Sequence, residues 1–168
     1  MLEAITDTGP VLHLHEIGRL ESLGIFDHLM MPDLVAEELR VYGLDPAHLG
    51  VAALRITVVA VERTAWEPVV HEISPLVIQP ADAQVFVLAR SDQFRKPVLT
   101  DDLALRRRLE GRGATVVGTV GLLVRAYSTG RLARDELNRA VDTLFTASTL
   151  HMSRAFRAYI HHLLAGLP

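Results

Sequence analysis

Residues 97–127 read PVLTDDLALRRRLEGRGATVVGTVGLLVRAY. Pro97 to Thr100 is a short apolar run and reads as a strand. It stops at Asp101-Asp102 and gives way to a strongly basic helix, Leu103 to Arg112. Thr115 to Val117 reads as the next strand and Gly118 to Tyr127 as the next helix. Parallel strands need a long crossover between them, usually a helix. Alternation of this kind argues for an α/β domain with a mainly parallel sheet.

The alternation continues toward the N-terminus. Leu2 to Thr6 reads as a strand, ended by the turn residues Asp7-Thr8-Gly9-Pro10. Val11 to Ile17 and Arg19 to Leu23 read as short helices, and His28 to Met31 as a brief strand. Pro32 suits the first position of a helix, with Asp33 in its first turn and an end near Tyr42. A Gly-, Asp- and Pro-bearing loop, Tyr42 to Gly50, leads to a β-branched strand, Ile56 to Val61. Glu62 to Gln79 shows no legible pattern. Pro80-Ala81-Asp82 opens a helix to about Ser91 that is apolar nearly all round, so it is expected to be buried on more than one side. Helices Ala133 to Leu144 and Ser153 to Leu164 close the chain. The expected organisation is an α/β domain over residues 1–130, with 131–168 a helical extension packed on it.

The 168 residues include 49% hydrophobic and 22% charged side chains and no Cys. That composition argues against disorder, and the lack of Cys excludes a disulfide scaffold, a Cys-ligated zinc site, an iron–sulfur cluster and thiol catalysis. No apolar run is long enough to span a bilayer, and no basic segment precedes an apolar one at the N-terminus. A cytoplasmic protein with no membrane partner is expected. The net charge of −3 hides an asymmetry. Residues 1–79 hold 12 acidic and 4 basic side chains, and residues 80–168 hold 8 and 13. The second half points weakly to an anionic partner.

In open α/β sheets, function gathers beyond the C-terminal ends of the strands. Asp7 follows the first strand, Asp82 lies in the first turn of the apolar helix, and Asp101 and Asp102 follow the strand Pro97 to Thr100. Glu37 and Glu38 lie on the helix after the second strand. At about 100° per residue, Glu38 falls roughly 40° from Leu34, inside the arc of Leu34, Val35, Leu39, Val41 and Tyr42. Glu37 falls at about 300°, toward the polar edge. A carboxylate on an apolar face needs a compensating cation, so Glu38 is the candidate and Glu37 the solvated one. Each acid taken alone reads as a helix cap or a turn residue. Together, at strand ends, they repel unless a hard cation such as Mg²⁺ or Mn²⁺ holds them. Such a site can activate water and neutralise phosphate charge.

The series Asp7-Thr8-Gly9-Pro10, Ile17-Gly18-Arg19-Leu20, Met31-Pro32-Asp33 through Leu39, Ala81-Asp82-Ala83-Gln84, Leu99-Thr100-Asp101-Asp102 with Arg106 and Arg107, Val117-Gly118-Thr119-Val120-Gly121-Leu122-Leu123 and Met152 to Ile160 resembles PIN-domain proteins, in particular a bacterial and archaeal PIN-like subfamily. The resemblance runs in order along nearly the whole chain. It implies a three-layer α/β/α sandwich with a parallel sheet of about five strands. It also implies a ribonuclease whose acidic pocket binds Mg²⁺ or Mn²⁺. The matching catalytic and metal-binding acids are Asp7, Glu38, Asp82 and Asp101 or Asp102. Thr8 and Thr100 occupy positions where a hydroxyl often orients a carboxylate or water. Many members are toxin halves of toxin–antitoxin pairs, held by a small antitoxin protein, and many are homodimers. One departure stands out: where the subfamily usually has a second glutamate, this chain has Gln84.

His13 and His15 do not share a helix face, and His161-His162 lack a third ligand at zinc spacing, so all four read as surface or packing residues. Gly111-Arg112-Gly113 and Gly118-Thr119-Val120-Gly121 match no phosphate loop. Arg106 and Arg107 suit an RNA backbone as well as they suit a solvated helix face. The expected activity is metal-dependent hydrolysis of RNA phosphodiesters. The other readings are a non-catalytic binding or dimerisation module with a degenerate metal site, and a phosphatase-like hydrolase.

Overall fold

A computed structural model describes residues 2–73 and 78–167. Among these residues, five strands form one all-parallel sheet: β1 (Glu3–Thr6), β2 (His28–Pro32), β3 (Arg55–Val59), β4 (Val98–Leu99) and β5 (Val116–Val117). The order across it is β3-β2-β1-β4-β5. Successive strands step outward from β1 on one side and from β4 on the other, so the chain reverses direction between β1 and β4. That reversal opens a crevice beyond the ends of those two strands. Eight helices among the described residues connect and flank the sheet: α1 (Thr8–Glu16), α2 (Asp33–Val41), α3 (Arg63–Ile73), α4 (Pro80–Ser91), α5 (Leu103–Glu110), α6 (Thr119–Ser128), α7 (Arg134–Ala147) and α8 (Arg154–Ala165). They cover both faces, giving the expected α/β/α sandwich.

Burial on both faces explains why β1, β2 and β4 read as apolar runs rather than alternating ones. Ile5, Leu29, Met31 and Leu99 have no exposed surface. Helix α4 lies across β1 and β2 while also meeting α2, α3 and α5. Hence its all-round apolar sequence, with Ala81, Ala83, Val85, Phe86, Leu88 and Ala89 buried. Helix α7 packs on α6 and α1, and Ile160 and Leu164 bury one side of α8.

Three local expectations are corrected. Helix α1 starts at Thr8, not Val11. Asp7 caps it, and Pro10 sits within the first turn, where a missing N–H costs no helical hydrogen bond. Pro32 belongs to β2, paired in register with Val59, so Asp33 rather than Pro32 opens α2. Val41 and Tyr42 are 85% and 58% exposed, so they are not part of the buried stripe of α2. That stripe is Val35, Ala36 and Leu39, which moves its centre toward 145° and leaves Glu38 about 105° from it against about 155° for Glu37. Glu38 is therefore an edge residue, half-buried, and Glu37 is exposed. Within the unpatterned stretch 62–79, α3 carries an internal proline, Pro68, and residues 74–77 lie outside the described residues.

Candidate active site at the sheet reversal

Asp7 is the residue immediately past β1, so the backbone delivers its carboxyl to the crevice floor. It is buried, at 7% exposure. Its Oδ1 accepts the Thr8 N–H at 2.7 Å and its Oδ2 accepts the Thr100 hydroxyl at 2.8 Å. Neither partner is charged. Burial, reinforced by the negative charges of Asp82 and Glu38, outweighs these hydrogen bonds and raises the Asp7 carboxyl to about 7.

Asp82 reaches the same place from α4. Its Oδ2 accepts the Gln79 N–H at 3.0 Å, the capping role its position suggests. Burial, with further contributions from Asp102 and Glu38, still raises it to about 6. Glu38 arrives from α2, and its Oε2 accepts the Thr8 hydroxyl at 2.5 Å. Asp102 caps α5, accepting the Leu105 N–H at 2.6 Å, and donates its own N–H to the Thr100 hydroxyl oxygen at 3.1 Å. The Thr100 hydroxyl thus ties Asp7 to the turn that carries Asp102. The Thr8 and Thr100 hydroxyls each donate to one carboxylate, Glu38 and Asp7 respectively.

Asp7 thus feels Asp82 and Glu38, and Asp82 feels Glu38 and Asp102. Asp101 does not join them. Its Oδ1 accepts the Thr119 N–H at 2.8 Å, and its Oδ2 meets the Thr119 hydroxyl and His13 Nδ1, the latter at 2.8 Å. Two adjacent aspartates serve two networks. A side chain at position 118 would put its Cβ 2.7 Å from Asp101 Oδ1, so only glycine leaves room for this clasp. The buried His13 was not legible as a site neighbour. The available signal was its i,i+4 spacing from Gly9, whose missing side chain leaves space beside the ring.

The two candidate arginines differ. Arg106 donates to the Thr100 carbonyl at 3.2 Å and the Val116 carbonyl at 3.4 Å, and pairs with Glu110 at 3.3 Å. It ties α5 to the ends of β4 and β5. Arg107 is exposed on the same helix. Gln84 is 1% exposed and bridges elements: its Oε1 accepts the Leu34 N–H at 3.0 Å and its Nε2 donates to the Val61 carbonyl at 3.2 Å. A glutamate would leave that carbonyl without its donor, so glutamine suits this packing.

A family model, DUF3368, described as a PIN domain, matches residues 3–165. The chain belongs to that family. No curated protein and no solved structure is similar enough to match. PIN domains are generally nucleases and typically use divalent metal ions. In this PIN domain the donor chemistry fits such an ion: four oxygen-donor side chains, and no cation among the charges that hold Asp7 and Asp82. Among the described residues, however, no group of three or more His, Asp or Glu side chains is arranged to hold a metal ion. Among those residues too, no helix is long and apolar enough to cross a membrane.

Proposed function

We propose that this PIN domain hydrolyses RNA phosphodiesters with Mg²⁺ or Mn²⁺ bound by Asp7, Asp82, Glu38 and Asp102. The observation that carries the reading is the convergence of buried Asp7 with half-buried Asp82 and Glu38 at the crevice, where burial and the neighbouring carboxylates raise Asp7 and Asp82. A divalent ion supplies the missing positive charge, polarises a water and neutralises phosphate. Thr8 and Thr100 hold Glu38 and Asp7 in fixed orientations. Arg107, exposed on α5, attracts the RNA backbone, while Arg106 maintains the turn bearing Asp101 and Asp102. The Asp101–His13–Thr119 clasp holds the start of α6 against that turn, which makes Asp101 a positioning residue and Asp102 the ligand.

The direct test is Mn²⁺ titration calorimetry together with cleavage of a mixed RNA pool. Wild type binds the ion and cleaves. Asp7→Asn and Asp102→Asn stay folded and lose both properties. Cleavage unchanged in Asp7→Asn overturns the assignment.

A second reading is a non-catalytic binding or dimerisation module, favoured by the absence of a ready-made metal cluster among the described residues. No Mn²⁺ binding at millimolar concentration would select it. A toxin role, with a cytoplasmic antitoxin partner and a homodimeric assembly, is the finer proposal. Growth arrest on expression, relieved by a neighbouring small gene product, supports it.

A further inference from the structure

Along the same edge of the sheet, past the ends of β2 and β3, lies a cavity of about 280 Å³. Asp33 and Leu34 line it from the start of α2, Gln84 from α4, Val61 and Glu62 from the segment after β3, and Trp66 from α3. It adjoins the acidic site through two elements. Leu34 lies four residues before Glu38, and Gln84 lies two residues after Asp82, so each separation is about one helical turn or less. Trp66 is the only tryptophan in the chain and is half-buried here.

The polar lining is selective in sign. Gln84 is 1% exposed and its amide already bridges the Leu34 N–H and the Val61 carbonyl, so it presents little polar surface to the cavity. Asp33 Oδ1 accepts the Leu34 N–H at 3.2 Å and the Val61 N–H at 3.5 Å, while Oδ2 takes no hydrogen bond from a described residue. Glu62 adds a second carboxylate, and the one lining cation, Arg63, is paired with Glu67 at 2.7 Å. A phosphate is repelled by such a lining. A flat, uncharged ring with an N–H donor is suited to it: an indole offers a face for stacking and a carboxylate oxygen accepts the donor.

We propose that this cavity is a base-reading subsite, in which a nucleobase carrying an exocyclic amino group stacks on Trp66 and donates that amine to Asp33 Oδ2. The proposal rests on the nuclease reading, since it places the base of a nucleotide whose chain runs past the acids. It assigns sequence preference to α2 and α3 rather than to the basic helix α5.

Trp66 reports on its own occupancy. Titrating the metal-free protein with adenosine, cytidine and uridine and following tryptophan fluorescence needs no activity. Adenosine and cytidine are expected to shift the signal at concentrations roughly tenfold below uridine, which has a carbonyl where cytidine has the amine. Asp33→Asn keeps an Oδ1 for the Leu34 and Val61 amides but presents an amide N–H₂ at the reading position. It is expected to reverse the preference toward uridine, an inversion that loss of fold cannot produce. In cleavage of the RNA pool, Trp66→Phe keeps the stacking face and the wild-type base preference, and Trp66→Ala flattens it. A fluorescence signal unmoved by all three nucleosides, or a preference identical in wild type and Asp33→Asn, overturns the proposal. If the nucleosides bind selectively and the RNA is never cut, the subsite stands and the nuclease reading falls. If RNA is cut and Asp33→Asn cuts it with unchanged preference, the nuclease reading stands and the subsite falls.

Discussion

Replacing Asp7 by asparagine is expected to stabilise the metal-free protein at neutral to alkaline pH while abolishing its metal-dependent properties. In the fold, the Asp7 carboxyl is raised from 3.8 to about 7, first by burial and then by Asp82 and Glu38. A carboxyl raised in the fold binds its proton more tightly there than in the unfolded chain, so stability is greatest below about pH 4 and falls as pH rises toward 7. The gap of roughly 3 pH units corresponds to about 4 kcal/mol of lost stability above pH 7. The substituted asparagine carries no charge, and its Oδ1 still accepts the Thr8 N–H. Its amide faces Thr100, whose hydroxyl must turn from donor to acceptor beside the Asp102 N–H, a rearrangement costing about 1–2 kcal/mol. The net gain is about 2–3 kcal/mol near pH 8, or roughly 5–10 °C in Tm for a chain of this size. Near pH 4.5 the penalty on Asp7 has shrunk to about 1 kcal/mol, and the variant and wild type should have similar stability. Urea or thermal unfolding in excess chelator at about pH 8 and pH 4.5 measures both quantities. A variant less stable than wild type at the higher pH, with both chains following the same pH dependence, would refute the reasoning, because it would mean that Asp7 is not a buried, repelled carboxylate.

Three other outcomes follow from the same geometry. Millimolar Mn²⁺ should raise the Tm of wild type at about pH 8 and leave that of an Asp7→Asn, Asp82→Asn double variant unchanged, and differential scanning fluorimetry reads the difference. Thr100→Val removes both the donor to Asp7 and the acceptor of the Asp102 N–H, so it should cost about 2–3 kcal/mol in urea unfolding and lower Mn²⁺ affinity, whereas Thr100→Ser should restore most of both. Gln84→Glu places a buried carboxylate against the Val61 carbonyl in place of a donor and should destabilise by about 2–4 kcal/mol at neutral pH. That loss should shrink in acid, where the protonated group can again donate, and Mn²⁺ affinity should not improve.

The fold was legible where local chemistry and burial agree. The stretch 97–127 displays its strands as apolar runs and its helices as longer patterned ones, because a parallel strand buried on both faces has no polar side to confuse the reading. The stretch 62–79 was not legible because Pro68 interrupts the pattern of a helix that forms anyway. On α2, hydrophobicity alone assigned Val41 and Tyr42 to the interior, yet at the end of that helix both side chains are exposed. Glu38 was selected over Glu37 by an arc centred in the wrong place, and the order survived because the true centre still lies nearer Glu38. Asp101 and Asp102 could not be separated from sequence, since the difference lies in what approaches them. Thr119 and His13 come from positions 18 and 88 residues away.

The arrangement of the acids also resolves the contrast between a mildly acidic chain and an anionic substrate. Salt bridges elsewhere on the surface join Arg63 to Glu67, Lys96 to Asp92 and Arg106 to Glu110, so basic side chains are available to neutralise carboxylates. None is among the causes acting on Asp7 or Asp82. Arg106, the first arginine after Asp101 and Asp102, is directed instead to the carbonyls of Thr100 and Val116. A guanidinium placed among the acids would lower their protonation and stabilise the empty fold, but it would also occupy the position that a divalent ion needs. The hydroxyls of Thr8 and Thr100 orient the acids without neutralising them. On the proposed reading, a diffusible divalent cation relieves this local negative charge at neutral to alkaline pH, and RNA affinity should follow metal concentration as well as ionic strength.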